Sequence, residues 1–132
     1  MKIIKKNKKK IKKEEINLIA DYFKKGKVIV YPTDTIYGLG CLATDKKAIN
    51  KIYKIKKRKK GKALLILISS LAMLKKYCYV SKGQEKFLKS VWKFKTPRAP
   101  LYKGGKSAVT VILKSRGVLP RKLAGEGNSL AV

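Results

Sequence analysis

Two short stretches hold the side chains able to do chemistry. In the first, Thr33, Asp34 and Thr35 follow directly on Pro32, with Tyr37 and Gly38 beside them. Small hydroxyl and carboxyl groups placed after a strand suit a ligand crevice, because open α/β sheets bind ligands outside the carboxyl ends of their strands. The same residue types also make ordinary turns, through local hydrogen bonds to the backbone. The second stretch is Lys56-x-Arg58 followed by Lys62. Three cations at a helix end and a strand start can gather phosphates and carboxylates, with Arg58 gripping bidentately. Taken alone they are equally one more piece of a lysine-rich surface.

Two other motifs carry less. Gly105-Lys106-Ser107 has the ending of a phosphate-binding loop, but the earlier glycine falls on Pro100 and a strand follows instead of a helix. Gly38-Leu39-Gly40 lacks the third glycine of a dinucleotide fingerprint.

The elements that position these residues follow from periodicity. Ile16, Ile19, Ala20 and Phe23 fall at helical spacing from Glu14, and Gly26 ends that helix. Lys27–Tyr31 is a β-rich run stopped by Pro32, and residues 32–40 are expected as a loop. Asp45 is a suitable cap for a helix burying Ala48, Ile49, Ile52 and Tyr53 and ending near Lys56-Lys57-Arg58. Ala63–Ile68 is continuously apolar, which predicts a strand covered on both faces. Leu71–Tyr77 and Gln84–Trp92 are expected helices, Lys93–Lys106 a loop, Val109–Leu113 a strand, and Ser129–Val132 the start of another. Helices alternating with strands predict an α/β sheet with flanking helices.

Composition limits the chemistry. The chain has 132 residues, 35 Lys+Arg against 7 Asp+Glu, no His and a formal net charge of +28. Without histidine there is no Ser/His/Asp or Cys/His apparatus and no imidazole base. Cys41 and Cys78 form no CxxC pair, which suits two small buried thiols in a reducing compartment, with no metal site. The apolar content of 45% supports one modest core. The basic start is followed by Glu14-Glu15, unlike a secretory signal, and no stretch is long enough to span a bilayer. A cytoplasmic protein is expected. A charge of +28 points to a polyanion such as nucleic acid, yet only four of the basic residues are Arg, so much of the lysine excess also fits a solvated, compositionally biased surface.

Taken in order, VYPTDTIYGLGC after a Gly-Lys-Val strand, then Lys-x-Arg at a helix end, then KALLILIS, the sequence resembles the threonylcarbamoyl-AMP synthases of the YrdC-like, TsaC type. The Pro-Thr-(Asp/Glu)-(Thr/Ala)-x-(Tyr/Phe)-Gly loop of that family is met by Pro32, Thr33, Asp34, Thr35, Tyr37 and Gly38, its Lys-x-Arg by Lys56 and Arg58, and its strand start by Lys62 and Leu64. Trp92 and Val109-Thr110-Val111 look like its Trp-Pro-Gly-Pro-x-Thr strand, with Pro97-Arg98-Ala99-Pro100 as a rival alignment.

The resemblance implies a YrdC-like open twisted mixed sheet with flanking helices, over residues 14–132, preceded by a basic arm at 1–13. It implies an ATP-binding nucleotidyltransferase that joins L-threonine, bicarbonate or CO2, and ATP into threonylcarbamoyl-adenylate for threonylcarbamoyladenosine modification of tRNA. Separate threonylcarbamoyl-transfer proteins would complete that modification. Lys56 and Arg58 would be catalytic and, with Lys62, nucleotide-binding; Thr33, Thr35, Tyr37 and Thr110 would bind the amino acid and its carbamate. Mg2+ would arrive with the nucleotide. Family members continue past the position of Val132 to an Arg-containing strand and a Ser-x-Asn motif, so the C-terminal part of the domain is expected to be missing. The alternative expectation is an inactive shortened homologue acting as a basic protein that binds tRNA or double-stranded RNA.

Overall fold

The computed structural model describes residues 3, 12–33, 36–59, 61–92 and 109–132. It divides into two compact units, residues 1–58 and 59–132. The expected loop at 93–106, with its phosphate-loop look-alike and Arg98, lies outside the described residues, as do Asp34, Thr35 and most of the basic arm.

In the first unit, helix α1 spans Lys13–Lys24, so the helix starts inside the expected arm. Glu15 accepts from the Lys12 backbone N–H at 2.8 Å, satisfying one of the orphan donors of the first turn. Its apolar stripe is only half covered, and Ile16 stays 53% exposed. The helix ends in a reverse turn in which Gly26, at φ +64°, donates to Phe23 while Lys27 donates to Tyr22. That is the Schellman arrangement, with glycine at the left-handed position.

Strand β1, Ile29–Pro32, pairs antiparallel with β2, Tyr37–Gly40, in the register Ile29↔Gly40 to Pro32↔Tyr37. The loop expected over 32–40 is therefore only a short turn, and half of that segment is strand. Helix α2 spans Lys46–Ile55 and buries the four expected residues Ala48, Ile49, Ile52 and Tyr53. Asp45 caps it, accepting from the backbone N–H groups of Lys47 at 2.8 Å and Ala48 at 3.0 Å.

In the second unit, α3 spans Leu71–Tyr77 and α4 spans Lys82–Val91. Ser70 caps α3, and Ser81 and Gln84 form a reciprocal capping box on α4. Glu85 on α4 receives Lys75 from α3 at 2.7 Å and Lys89 from its own helix at 2.9 Å. Strands β3, Ile112–Lys114, and β4, Ser129–Ala131, pair antiparallel, and reciprocal bonds between Val111 and Val132 extend the pairing. On the β4 side, the Ile66 N–H donates to the Ala131 carbonyl at 2.9 Å. On the β3 side, residues 77–79 bridge to 114–116 around Cys78 and Ser115. Four backbone rows thus lie side by side, 66, β4, β3 and 77–79.

One face of these rows is the covered one, carrying buried Ile66, Leu130, Leu113 and Cys78. Leu65 and Leu67 are 56% and 66% exposed, so the Ala63–Ile68 run is not covered on both faces as its composition predicts. The run is not a regular strand: it makes a single ladder bond to β4 among the described residues, and Ile66 is its buried member. Trp92, at the end of α4, donates its indole N–H to the Val109 carbonyl at 2.9 Å.

Helices and strands are mixed along the chain, as an α/β class requires, but they do not strictly alternate: β1 runs into β2, and α2, α3 and α4 follow one another. Every described strand pairing is antiparallel.

Candidate functional site

The turn between β1 and β2 is closed by Thr33, which donates both its backbone N–H and its hydroxyl to the carbonyl of Ile36. With the hydroxyl proton committed there, Thr33 can meet a ligand only as an acceptor. Tyr37 stands directly across from Pro32 with its side chain 72% exposed. Thr35 lies outside the described residues.

The glycines that follow have a packing role. A Cβ on Gly40 would lie 2.8 Å from Cε1 of Tyr31, and one on Gly38 would lie 3.2 Å from its Cζ and 3.3 Å from the Thr33 methyl. The Cδ1–Cε1–Cζ side of the Tyr31 ring runs past both glycines. Gly38-Leu39-Gly40 is therefore a seat for an aromatic ring, which removes the remaining case for a dinucleotide fingerprint. The seat fixes the strand that leads into Thr33 and the one that begins at Tyr37. Sequence reasoning passed over Tyr31; its signal was the alternate glycines facing an aromatic strand residue.

Lys56 and Arg58 are brought together by the end of α2. Lys57 donates to Lys54 and Arg58 to Tyr53, at 3.1 and 3.0 Å, and Lys57 sits between them at φ +46°. This repeats the Schellman turn of α1 with lysine where α1 has glycine. A β-carbon in the left-handed region costs roughly 1–2 kcal/mol, and such residues persist where the surroundings over-determine them, often at functional sites. The turn carries Arg58 back toward α2, where its charge acts on Tyr53: burial pushes that phenol up and Arg58 partly offsets the push. Cations here also complement the negative end of the helix dipole.

Lys62 and Thr110 belong to the second unit, both exposed. Thr110 alternates with buried Leu113 along the β3 row and shares the open face of the sheet with Ile112. The first unit thus assembles Thr33 with Tyr37 on one turn and Lys56 with Arg58 on another; Lys62 and Thr110 are carried by separate rows of the second.

The thiols are not activated. Burial, then the Asp45 carboxylate, pushes Cys41 up, and burial pushes Cys78 up with a partial offset from Arg116. Among the described residues no group of three or more His, Cys, Asp or Glu side chains gathers to hold a metal ion.

Comparison with known proteins identifies the family. The Sua5/YciO/YrdC family model, described as "Telomere recombination", matches residues 21–132. A threonylcarbamoyl-AMP synthase of Moraxella catarrhalis (strain BBH18) is 32% identical over 119 residues, covering 90% of this chain and 57% of the relative. The crystal structure of E. coli YciO superposes with a TM-score of 0.69 at 29% identity, covering 91% of this chain and 52% of that one. The crystal structure of P. abyssi Sua5 complexed with L-threonine superposes with a TM-score of 0.76 at 27% identity, covering 94% and 33% respectively. This chain spans little more than half the length of the Moraxella relative. With the fold, the turn motifs and the matched span in agreement, the chain belongs to the Sua5/YciO/YrdC family.

Proposed function

We propose that this chain carries the turn and cation machinery of a threonylcarbamoyl-AMP synthase, acting on L-threonine, bicarbonate or CO2, and ATP. The amine of threonine takes up the one-carbon unit as a carbamate, and the carbamate oxygen attacks the α-phosphorus of ATP. Threonylcarbamoyl-adenylate forms, pyrophosphate leaves and, from bicarbonate, one water is released. The product would serve threonylcarbamoyladenosine modification of tRNA, with separate proteins making the transfer. Residues 14–132 are the part of the synthase domain assigned here.

The observation that carries this reading is the left-handed Lys57 turn, which sets Lys56 and Arg58 on a folded helix end instead of a loose tail. Bringing a carbamate to a triphosphate concentrates negative charge, so the catalytic demand is positioning and charge stabilisation. Lys56, Arg58 and Lys62 supply the cations. Thr33 as acceptor, with Thr35, Tyr37 and Thr110, hydrogen-bonds the amino acid and its carbamate. No proton shuttle by histidine is required. Mg2+ belongs to the nucleotide substrate, since the described carboxylates form no cage for it. The resemblance to synthases, one relative structure being complexed with L-threonine, supports the choice of amino acid. No helix among the described residues is long and apolar enough to cross a membrane.

The test is threonine-dependent pyrophosphate release by the purified chain with bicarbonate and Mg-ATP, run beside a full-length relative. Release that disappears without threonine is the expected result; none from this chain while the relative is active overturns the reading.

A further inference from the structure

Tyr31 reaches beyond the two glycines that seat it. A Cβ on Gly38 would stand 3.2 Å from Tyr31 Cζ and 3.3 Å from the Thr33 methyl, so the phenol end of the ring and the Thr33 side chain flank one point on one face of the hairpin. The chain direction agrees, since residues two apart in an extended strand project to the same side. Cδ1 and Cε1 lie against Gly40 at 3.3 and 2.8 Å, whereas Cζ lies against Gly38, the glycine nearer the turn. The hydroxyl on Cζ is therefore the turn-side end of the ring. Tyr31 is half-buried. Among the described residues no hydrogen bond engages its hydroxyl, and none of their buried side-chain oxygens or nitrogens lacks a partner. That hydroxyl thus opens to solvent beside the turn, its ring held and its proton uncommitted. Thr33 has the opposite balance, with its proton given to the Ile36 carbonyl and only lone pairs to offer.

We propose that Tyr31 is a substrate-contacting residue of the synthase site, its hydroxyl donating to the carboxylate of the bound amino acid. The proposal rests on the synthase reading and adds to it a residue and a role. An amino acid presents N–H donors and carboxylate acceptors on one carbon, so its site needs an acceptor and a donor close together. Thr33 supplies the acceptor and Tyr31 the donor, from the same face of the same hairpin. In the synthase reading Lys56, Arg58 and Lys62 serve the triphosphate and the carbamate, which leaves the carboxylate to a neutral donor. A hydrogen bond to an ionised acceptor is stronger than one between neutral groups, so a single hydroxyl is enough to matter there. The seat on Gly38 and Gly40 fixes the ring before the substrate arrives, and little side-chain entropy remains to be lost on binding.

The experiment is isothermal titration calorimetry of the full chain with L-threonine and with L-threoninol, in which a hydroxymethyl group replaces the carboxylate, beside turnover kinetics. Tyr31→Phe keeps the ring on its seat and removes only the donor, so its urea midpoint should match the parent's. It is expected to weaken threonine binding about tenfold or more, the loss of a hydrogen bond to a charged group, and to shrink the preference for threonine over threoninol by the same factor. In turnover the KM for threonine should rise by that factor while kcat at saturating threonine and the KM for ATP stay within about twofold. Tyr79→Phe, on the second unit, should change none of these. The assignment of Tyr31 is overturned, with the synthase reading left standing, if the parent turns over and Tyr31→Phe binds threonine as the parent does, loses threoninol equally, or loses ATP in place of threonine. A parent that binds threonine without threonine-dependent pyrophosphate release overturns the synthase reading alone, and one that does neither overturns both.

Discussion

The ring of Tyr31 rests on the backbone of Gly40, so close that a single added methyl carbon would stand 2.8 Å from its Cε1. Gly40→Ala therefore forces the ring away from its seat and loosens the hairpin that ends in the Thr33 turn. The expected loss of stability is about 1–3 kcal/mol, the usual cost of overpacking a fitted contact, read as a lower urea midpoint at unchanged slope.

The same contact explains how far the sequence could be read. Around α2, the spacing of Ala48, Ile49, Ile52 and Tyr53 and the acidic cap at Asp45 name a face and a start, and the structure buries that face and uses that cap. Tyr37–Gly40 reads as loop from sequence because two glycines lower strand propensity, and only the facing aromatic, a tertiary partner, makes them favourable in the strand found there. Ala63–Ile68 departs from its expected two-sided cover for a different reason. An unbroken apolar run states that both sides tolerate burial, not that both find a cover, and Leu65 and Leu67 lie on the open side. For the candidate site, residue identity points to Lys56 and Arg58, but nothing in Lys56-Lys57-Arg58 announces a left-handed turn, since that position usually takes glycine.

Lys57→Gly relieves that turn. Removing the β-carbon strain, less the extra chain entropy of glycine, should raise stability by about 0.5–1 kcal/mol. Lys57→Val, β-branched at the same φ, should lower it. Thermal melts of the two variants beside the parent check the opposite signs.

Arg58→Lys keeps the charge but removes the planar fork. If the guanidinium stabilises charge between carbamate and phosphate, threonine-dependent pyrophosphate release should fall on the order of a hundredfold, with the circular dichroism spectrum unchanged. A drop of twofold or less would assign Arg58 to the surface.

Glu85 clasps α3 to α4 and gives a pH dependence. Hydrogen bonds from Lys75, then Lys89, hold its carboxyl below the usual carboxylate range. A carboxyl whose folded pKa is depressed contributes stability that is full above its unfolded pKa and is lost as pH falls through the folded one. Melting temperature should therefore decline on acidification below about pH 4.5. In Glu85→Gln this part of the decline should be absent, and the two curves should converge at low pH.

Asp45→Asn separates capping from charge. Asparagine caps a helix as well as aspartate does, so α2 should remain, while the Cys41 thiol loses the carboxylate that raises it. More thiolate at a given pH means faster reaction with a disulfide reagent near neutrality. Cys78, fully buried, should react more slowly than Cys41 in both proteins.

The Trp92–Val109 hydrogen bond makes one side chain a fastener between a helix and a strand row. By joining the end of α4 to the row that becomes β3, the indole ties two elements distant in sequence through one donor. Trp92→Phe, which keeps the ring but removes the donor, isolates that one bond as a handle on how firmly α4 is held to the sheet, at a cost of about 0.5–1.5 kcal/mol.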